Sequence, residues 1–524
     1  MKNGAGHTVS LIFLCIYPYF GYFCIYMKLR SILVRAAALL GVCCLFVATS
    51  CGEDEPDPSS SAPVLVSTDP ADGLADYEGS SLTVKFTFDS AVTLSERGLS
   101  RIAVGEATVT DVVALGRYVT VSVGELKPGK SYTILIPEGA LYSLASPEVA
   151  AKAASFSFST KPEPEKPPVP TDWESASAAV AAMRTGWNLG NTLDAHSFDW
   201  KSTTPGWIVQ HTDGRTSDWE TAWGQPVTKP DLLKMFADAG FGAIRVPVTW
   251  AEHFGPDGNI DAAWMDRVEQ VVRYVLNTGM YCILNVHHDT GEVGWLHCDD
   301  ATYKSVNKKF SSLWTQIATR FADYGDHLLF ESFNEMLDGN NRWNTTSAVG
   351  YENINKYNAD FVRAVRATGG NNGTRNLVVN TYAASCAIDA MNNLKLPKDT
   401  VEGHLIAQVH SYAPYRFAFE MENPADQLTV FDAACEAEVR GIVESVNECF
   451  VKKGIPAIIG EYGATSKLKE EEMAKQAACY VSTARKYGIA CFYWMVLSDG
   501  GDRNKPAWSK PLLKDTILAA YKGE

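Results

Sequence analysis

Two glutamates stand where apolar runs stop. The stretch "LLFESFNEM" (328–336) ends in Asn334-Glu335, and "AIIGEY" (457–462) carries Glu461 near its end. Other apolar runs end in groups that bind or orient: "AIRVPV" holds Arg245, "YCILNV" runs into His287, His288 and Asp289, "LIAQVH" into His410 and Tyr412, and "ACFYWM" into Trp494. Two carboxyl groups suffice to cleave an acetal if one is protonated and the other ionised. The first donates to the leaving oxygen and the second attacks the anomeric carbon, so their surroundings must push the two proton affinities apart. Arg245 could keep one carboxylate charged, with His410 or Tyr412 orienting it. Asn334 could bond a sugar 2-hydroxyl, and Trp494 could lie under the apolar face of a ring. Any one of these residues alone reads as structural. Together at the ends of six apolar runs they read as one rim.

The elements that must carry such a rim are strands. Eight apolar runs begin near 186, 243, 281, 328, 377, 405, 457 and 490, and helix-like stretches such as "MDRVEQVVRYVLNTG" separate most of them. Continuous rather than alternating apolar strands are buried on both faces. Eight of them alternating with helices over residues 173–524 predict a (β/α)8 TIM barrel, whose site forms at the C-terminal strand ends. An open doubly wound sheet is the alternative, but no Gly-rich phosphate turn follows the first run.

Residues 62–160 read differently. "LTVKFTFD", "YVTVSVG", "SYTILIP" and "SFSFST" alternate with period two and are separated by turn residues, which predicts a small all-β sandwich. "GELKPGKS" (124–131) matches a phosphate-loop pattern, yet "YTILIP" follows it where a helix is required, so it is read as a hairpin turn. "KPEPEKPPVP" opens a stiff linker over 161–172. The first 51 residues read as leader, with a basic and then apolar segment from Met27 up to Cys51. A transmembrane anchor is the alternative there. An acidic, serine-rich tether spans 52–61.

Two resemblances sharpen this reading. The leader resembles a bacterial lipoprotein signal, which implies lipidation of Cys51, export, and an outward-facing membrane anchor at the cell surface of a Bacteroides-type bacterium. Residues 62–160 resemble bacterial Ig-like domains; a spacer is expected, and a carbohydrate-binding module is the rival. "GWNLGNTLDA", "ETAWGQPVTK", "AGFGAIRVPVTW", "YCILNVHHD", "LLFESFNE", "VHSYAPYRFA" and "IPAIIGEYGA" resemble glycoside hydrolase family 5, in detail its subfamily 4 endoglucanases. The resemblance implies a retaining double displacement on β-1,4-glucan, with Glu335 as acid/base and Glu461 as nucleophile. Asn188, Asn191, Arg245, His287, His288, Asn334, His410, Tyr412 and Trp494 then match substrate-binding positions. There are departures: Met336 stands where many relatives have Pro, and "YWMVLSDGG" differs after Trp494. Trp295 in "GWLHCDD" either lines a subsite or packs its loop.

Composition excludes other classes. A net charge of −15 argues against nucleic acid as partner. The 12 Cys show no C-x-x-C spacing, so no zinc or disulfide framework follows. There is no G-x-S-x-G elbow and no H-E-x-x-H, so an esterase and a metalloprotease are not expected, nor is any metal or cofactor. The expected partners are a β-glucan polysaccharide and, through Cys51, a membrane; the chain is read as a monomer. Xyloglucan, mixed-linkage glucan, xylan and mannan remain open as substrates, and a non-catalytic surface glycan-binding protein is the remote alternative.

Overall fold

The computed structural model describes residues 61–162 except Glu78 and Glu96, 173–494 except Pro256, and 506–523. The leader, Cys51, the tether up to residue 60, most of the linker and the stretch after Trp494 lie outside the described residues. The rest falls into two compact units, one on either side of residue 163.

The first unit is all strand apart from one short 3-10 turn at Leu99–Arg101. One sheet has the order β1-β3-β6-β5, formed by β1 (Leu65–Asp69), β3 (Leu82–Phe88), β6 (Tyr118–Gly124) and β5 (Thr108–Leu115). A second has the order β2-β9-β7, formed by β2 (Leu74–Tyr77), β9 (Ala154–Thr160) and β7 (Ser131–Ile136). β4 (Val92–Leu94) and β8 (Leu141–Ser143) pair with each other. Period-two alternation buries Val84, Phe86 and Phe88 from β3 against Phe156 and Phe158 from β9. The Phe86 and Phe156 rings meet edge to face at 6.5 Å and join the sheets. The sandwich expectation holds; one detail does not. Residues 124–131 are not a hairpin, because β6 pairs with β3 and β5 while β7 pairs with β9. The loop crosses from one sheet to the other, and it still feeds a strand rather than a helix.

The second unit is a closed, all-parallel eight-stranded barrel. Its strands are β10 (Thr185–Asn188), β11 (Ala243–Val246), β12 (Tyr281–Asn285), β13 (Leu328–Glu331), β14 (Leu377–Ser385), β15 (Leu405–His410), β16 (Ala457–Tyr462) and β17 (Ala490–Trp494). Period two within these short strands sorts side chains between two cores. Ala243, Ile283, Leu329, Val378, Ile406, Ile458 and Phe492 form one cluster that plugs the barrel. Ile244, Val246, Cys282, Leu284, Leu328 and Phe330 belong to the larger cluster shared with the helices. Stepping two residues along from the plug places Arg245, Asn285 and Glu331 on the inward face, one layer above it. Register agrees: Arg245 sits beside Asn188, and Asn285 beside Glu331. The barrel is therefore apolar below and polar above, and the polar layer lies at the C-terminal end of the strands.

Several of the helices are begun by side-chain caps. Asp261, Asp299, Ser347 and Asp432 each accept a backbone N–H in the first turn of helices Ala262–Leu276, Asp300–Arg320, Ala348–Ala367 and Ala433–Cys449. The seven described cysteines are all free. Among the described residues no helix is long and apolar enough to cross a membrane.

Candidate active site

Arg245 organises the polar layer. Its Nε and Nη2 grip both oxygens of Glu331 at 2.6 and 2.7 Å. Its Nη1 donates to Asn188 Oδ1 at 3.0 Å and to Glu461 Oε1 at 2.8 Å, and its Nη2 also donates to Asn334 Oδ1 at 2.8 Å. All five N–H donors are thereby used. Burial opposes the guanidinium's charge, but Glu331 and Glu461 more than offset that, and it stays charged.

Glu335 and Glu461 face one another across the barrel mouth. One carboxylate oxygen of each and a ring nitrogen of His410 all lie within 4.8 Å of one another. His410 Nδ1 is 2.8 Å from Glu335 Oε1 and 3.6 Å from Glu461 Oε2. Tyr412 donates its hydroxyl to Glu461 Oε2 at 2.8 Å. The two acids thus differ in environment. Glu461 receives an arginine N–H and a phenol O–H, and its side chain is only 6% exposed. Glu335 receives neither, and its side chain is 23% exposed toward the cleft. Burial pushes Glu335 up to about 7, beyond what the charge of Arg245 recovers. Burial also raises Glu461, opposed by His410, Arg245 and the Tyr412 hydroxyl. Burial lowers His410 to about 4, so it is neutral. Tyr412 is held well above its ordinary value by burial and the two glutamates, so it remains a donor.

Around this pair the structure places the other expected residues unequally. Asn334 gives its carbonyl to Arg245, which leaves its amide NH2 without a partner among the described residues. Asn285 donates to His287 Nδ1 at 3.0 Å, so the His287 proton is on Nε2. Trp494 lies parallel to the His287 ring, with centroids 5.7 Å apart and planes 7° apart. Gly190 is needed beneath it: a Cβ there would meet the indole at 2.6 Å. His288 lies behind, against the rings of His287, His196 and Trp223, with Nε2 3.9 Å from Asp194.

One expectation needs correction. Asn188 and Arg245 were expected to touch substrate, and both are fully buried. The Asn188 amide is used on the carbonyls of Gly460, Phe492 and Tyr493, where it ties three strands together and seats Arg245. Asn191 is half-buried. It has φ 58, and its backbone N–H, with that of Thr192, caps the Asp194 carboxylate. Trp295 packs its loop: it is 8% exposed, donates to Asp289 Oδ1 at 2.6 Å and carries Lys309 over its ring. Met336, in place of Pro, is buried in the core.

Sequence reading also missed Glu331, Asn285, Asn380 and Gln408. All are fully buried inside the barrel. Glu331 had a signal: it is a charge inside an apolar run, and such a charge must find an opposite one.

Two exposed tryptophans mark the cleft wall. The N–H of Gly291 donates to the backbone carbonyl of Glu335 at 3.1 Å, which ties the loop after β12 to the acid. The next residue, Glu292, accepts the Trp343 indole N–H at 3.2 Å, and Val293 accepts the backbone N–H of Trp200 at 3.1 Å. On the opposite flank the Tyr412 ring packs on Phe419, and Phe419 on Tyr415. Aromatic side chains thus accompany the loops after β12 and β15 that border the carboxyl pair.

A closed parallel barrel with two inequivalent glutamates this close at its C-terminal mouth defines a hydrolase of glycosidic bonds. The family model "Cellulase (glycosyl hydrolase family 5)" matches residues 207–500, and that of a bacterial Ig-like domain matches 59–160. Endoglucanase B of Neocallimastix patriciarum is 37% identical over 61% of this chain, and the chain spans 64% of that relative's length. A family 5 enzyme from Prevotella bryantii, solved with a xyloglucan tetradecasaccharide, is 44% identical over 67% of this chain and 99% of its own, with a TM-score of 0.60. A GH5-4 broad specificity endoglucanase from an uncultured bacterium is 41% identical over 67% and 97%, also at 0.60. The chain belongs to glycosyl hydrolase family 5 and carries an N-terminal bacterial Ig-like domain.

Proposed function

We propose that the protein is a retaining endo-β-1,4-glucanase in which Glu335 is the acid/base and Glu461 the nucleophile. The observation that carries this is that one oxygen of the Glu335 carboxylate lies within 4.8 Å of one oxygen of Glu461. It suits direct attack on the anomeric carbon, whereas inverting enzymes need about 6.5–9.5 Å to admit a water.

The chemistry follows from the two environments. Glu335 holds a proton at slightly acidic pH and delivers it to the glycosidic oxygen. Glu461, bonded by Arg245 and Tyr412, attacks the anomeric carbon and forms a glycosyl ester. Glu335, now ionised, takes a proton from water, which cleaves the ester with a second inversion. The amide of Asn334 bonds the 2-hydroxyl, and Trp494 supports the sugar ring from His287 outward. The nucleophile's own hydrogen bonds come from groups that never leave the protein, so it needs no solvent to stay oriented.

The aromatic walls at Trp200, Trp343, Phe419 and Tyr415 favour a polymer over a disaccharide. The xyloglucan complex of the Prevotella enzyme supports xyloglucan as a substrate beside plain and mixed-linkage β-glucan. The Ig-like unit serves as a spacer, and lipidation at Cys51 anchors the protein facing outward. A Cys51→Ser variant that stays in the membrane fraction would contradict the anchor.

The test is a reducing-sugar assay on carboxymethylcellulose, barley β-glucan, xyloglucan, xylan and mannan, with Glu335→Gln and Glu461→Gln beside wild type. Activity on glucans that both substitutions abolish is expected, and the relative rates name the backbone. A folded protein inactive on every polymer would overturn the reading.

A further inference from the structure

We infer that Glu331 is a positioning residue of this reaction: it fixes the plane of Arg245 and neutralises its charge, so that the guanidinium holds the nucleophile without discharging the acid. The inference rests on the roles proposed above for Glu335 and Glu461.

The geometry carries it. Glu331 projects inward from β13, fully buried, and takes two of the five Arg245 N–H bonds in a fork. A fork to a carboxylate fixes the guanidinium plane, which a single bond cannot do. That plane decides where the remaining three N–H groups point, namely at Asn188, Glu461 and Asn334. Glu331 is itself held: Asn285 and Asn380 each donate to its Oε1 at 3.2 Å.

The charges facing this cluster are few. Glu335 follows β13 and Glu461 lies on β16. His410 and Tyr412 come from β15 and the loop after it, and His287 from the loop after β12. His410 and His287 are neutral because burial lowers both. Burial raises Glu331, but the charge and hydrogen bonds of Arg245 outweigh that, and it stays ionised. The layer thus holds one guanidinium and two carboxylates, Glu331 and Glu461. Glu335 meets a negative remainder, which favours its protonated form, and Glu331 contributes to the rise of its proton affinity. Without the charge on Glu331 the positive charge of Arg245 would meet Glu335 less opposed, and Glu335 would ionise at lower pH.

The experiment is the pH profile of kcat/KM for the full chain and its Glu331→Gln and Glu331→Asp variants, on a short aryl β-cellooligoside. Glu331→Gln is expected to move the alkaline limb down by about one pH unit. Glu331→Asp keeps the charge, so its limb stays near that of wild type while kcat falls. A uniform loss in Glu331→Gln with an unmoved limb would overturn the inference, since a merely structural residue lowers activity without moving the profile. Should neither variant fold, a carboxyl-carbon NMR titration of wild type decides. A Glu331 signal flat from about pH 5 to about pH 8 beside a titrating Glu335 supports the inference, and a Glu331 that titrates in that range overturns it. If Glu335→Gln retained wild-type activity, the underlying assignment of the acid would fall, and this inference with it.

Discussion

Tyr412 offers a clean perturbation. Its hydroxyl donates to Glu461 at 2.8 Å, and its ring packs on Phe419 with centroids 5.0 Å apart. Tyr412→Phe removes the hydrogen bond and leaves the ring in place. A hydrogen bond to a charged group contributes about 1.5–3 kcal/mol. At 1.36 kcal/mol per pH unit, its loss raises the proton affinity of Glu461 by about one to two units. The sign follows: catalysis needs Glu461 ionised, so the acid limb of kcat/KM moves up. The alkaline limb reports Glu335, held at about 7, and stays where it is. The bell narrows from its acid side. Below the wild-type acid limb activity falls about 10- to 100-fold, and part of it returns as pH rises toward neutrality. The assay is the full pH profile on a soluble β-glucan. A variant whose profile keeps its width and position, merely scaled down, would refute the idea that Tyr412 acts through the charge of Glu461.

Further outcomes follow from the same structure. In wild type, kcat/KM falls as pH rises through about 7, because Glu335 then loses the proton it must deliver; activity rising above neutrality would contradict this. Trp343→Ala and Trp200→Ala raise KM on polymer while kcat on a short aryl glycoside holds, since both indoles lie on the wall rather than at the carboxyl pair; equal losses on both substrates would place them in the chemistry instead. Gly190→Ala drives a Cβ to 2.6 Å from the Trp494 indole, so the ring must leave His287, and activity drops with little change in melting temperature. Arg375, fully buried, donates to the carbonyls of Phe321, Tyr324, Gly325 and Leu328 and to Asn372. Arg375→Ala leaves those carbonyls without partners and costs at least about 3 kcal/mol in a denaturant titration that follows the barrel.

The barrel was legible because strands buried on both faces leave continuous apolar runs, and their ends mark the rim. Reading only the ends found Glu335, Glu461, His410, Tyr412 and Trp494, which the structure gathers at the mouth. It missed Glu331 and Asn285, which sit inside runs rather than at their ends. Counting by two from the plug residues Leu329 and Ile283 would have shown that both point inward, level with Arg245. The same count would have placed Arg245 and Asn188 below the reach of a sugar. Strand pairing is not written locally, so the loop at 124–131 could not be assigned to two different sheets from its own residues. The orientation of Trp295 depends on Asp289 and Lys309, whose burial is a property of the packed loop.

The measurement that bears most directly on the central claim is the configuration of the first-formed product. Proton NMR would follow the reducing-end anomers during early hydrolysis of a β-1,4-linked cellooligosaccharide, before mutarotation mixes them. Carboxylate oxygens within 4.8 Å of one another suit two displacements, so the β-anomer is expected first. Initial appearance of the α-anomer would mean a single displacement by water, and would contradict Glu461 as the nucleophile.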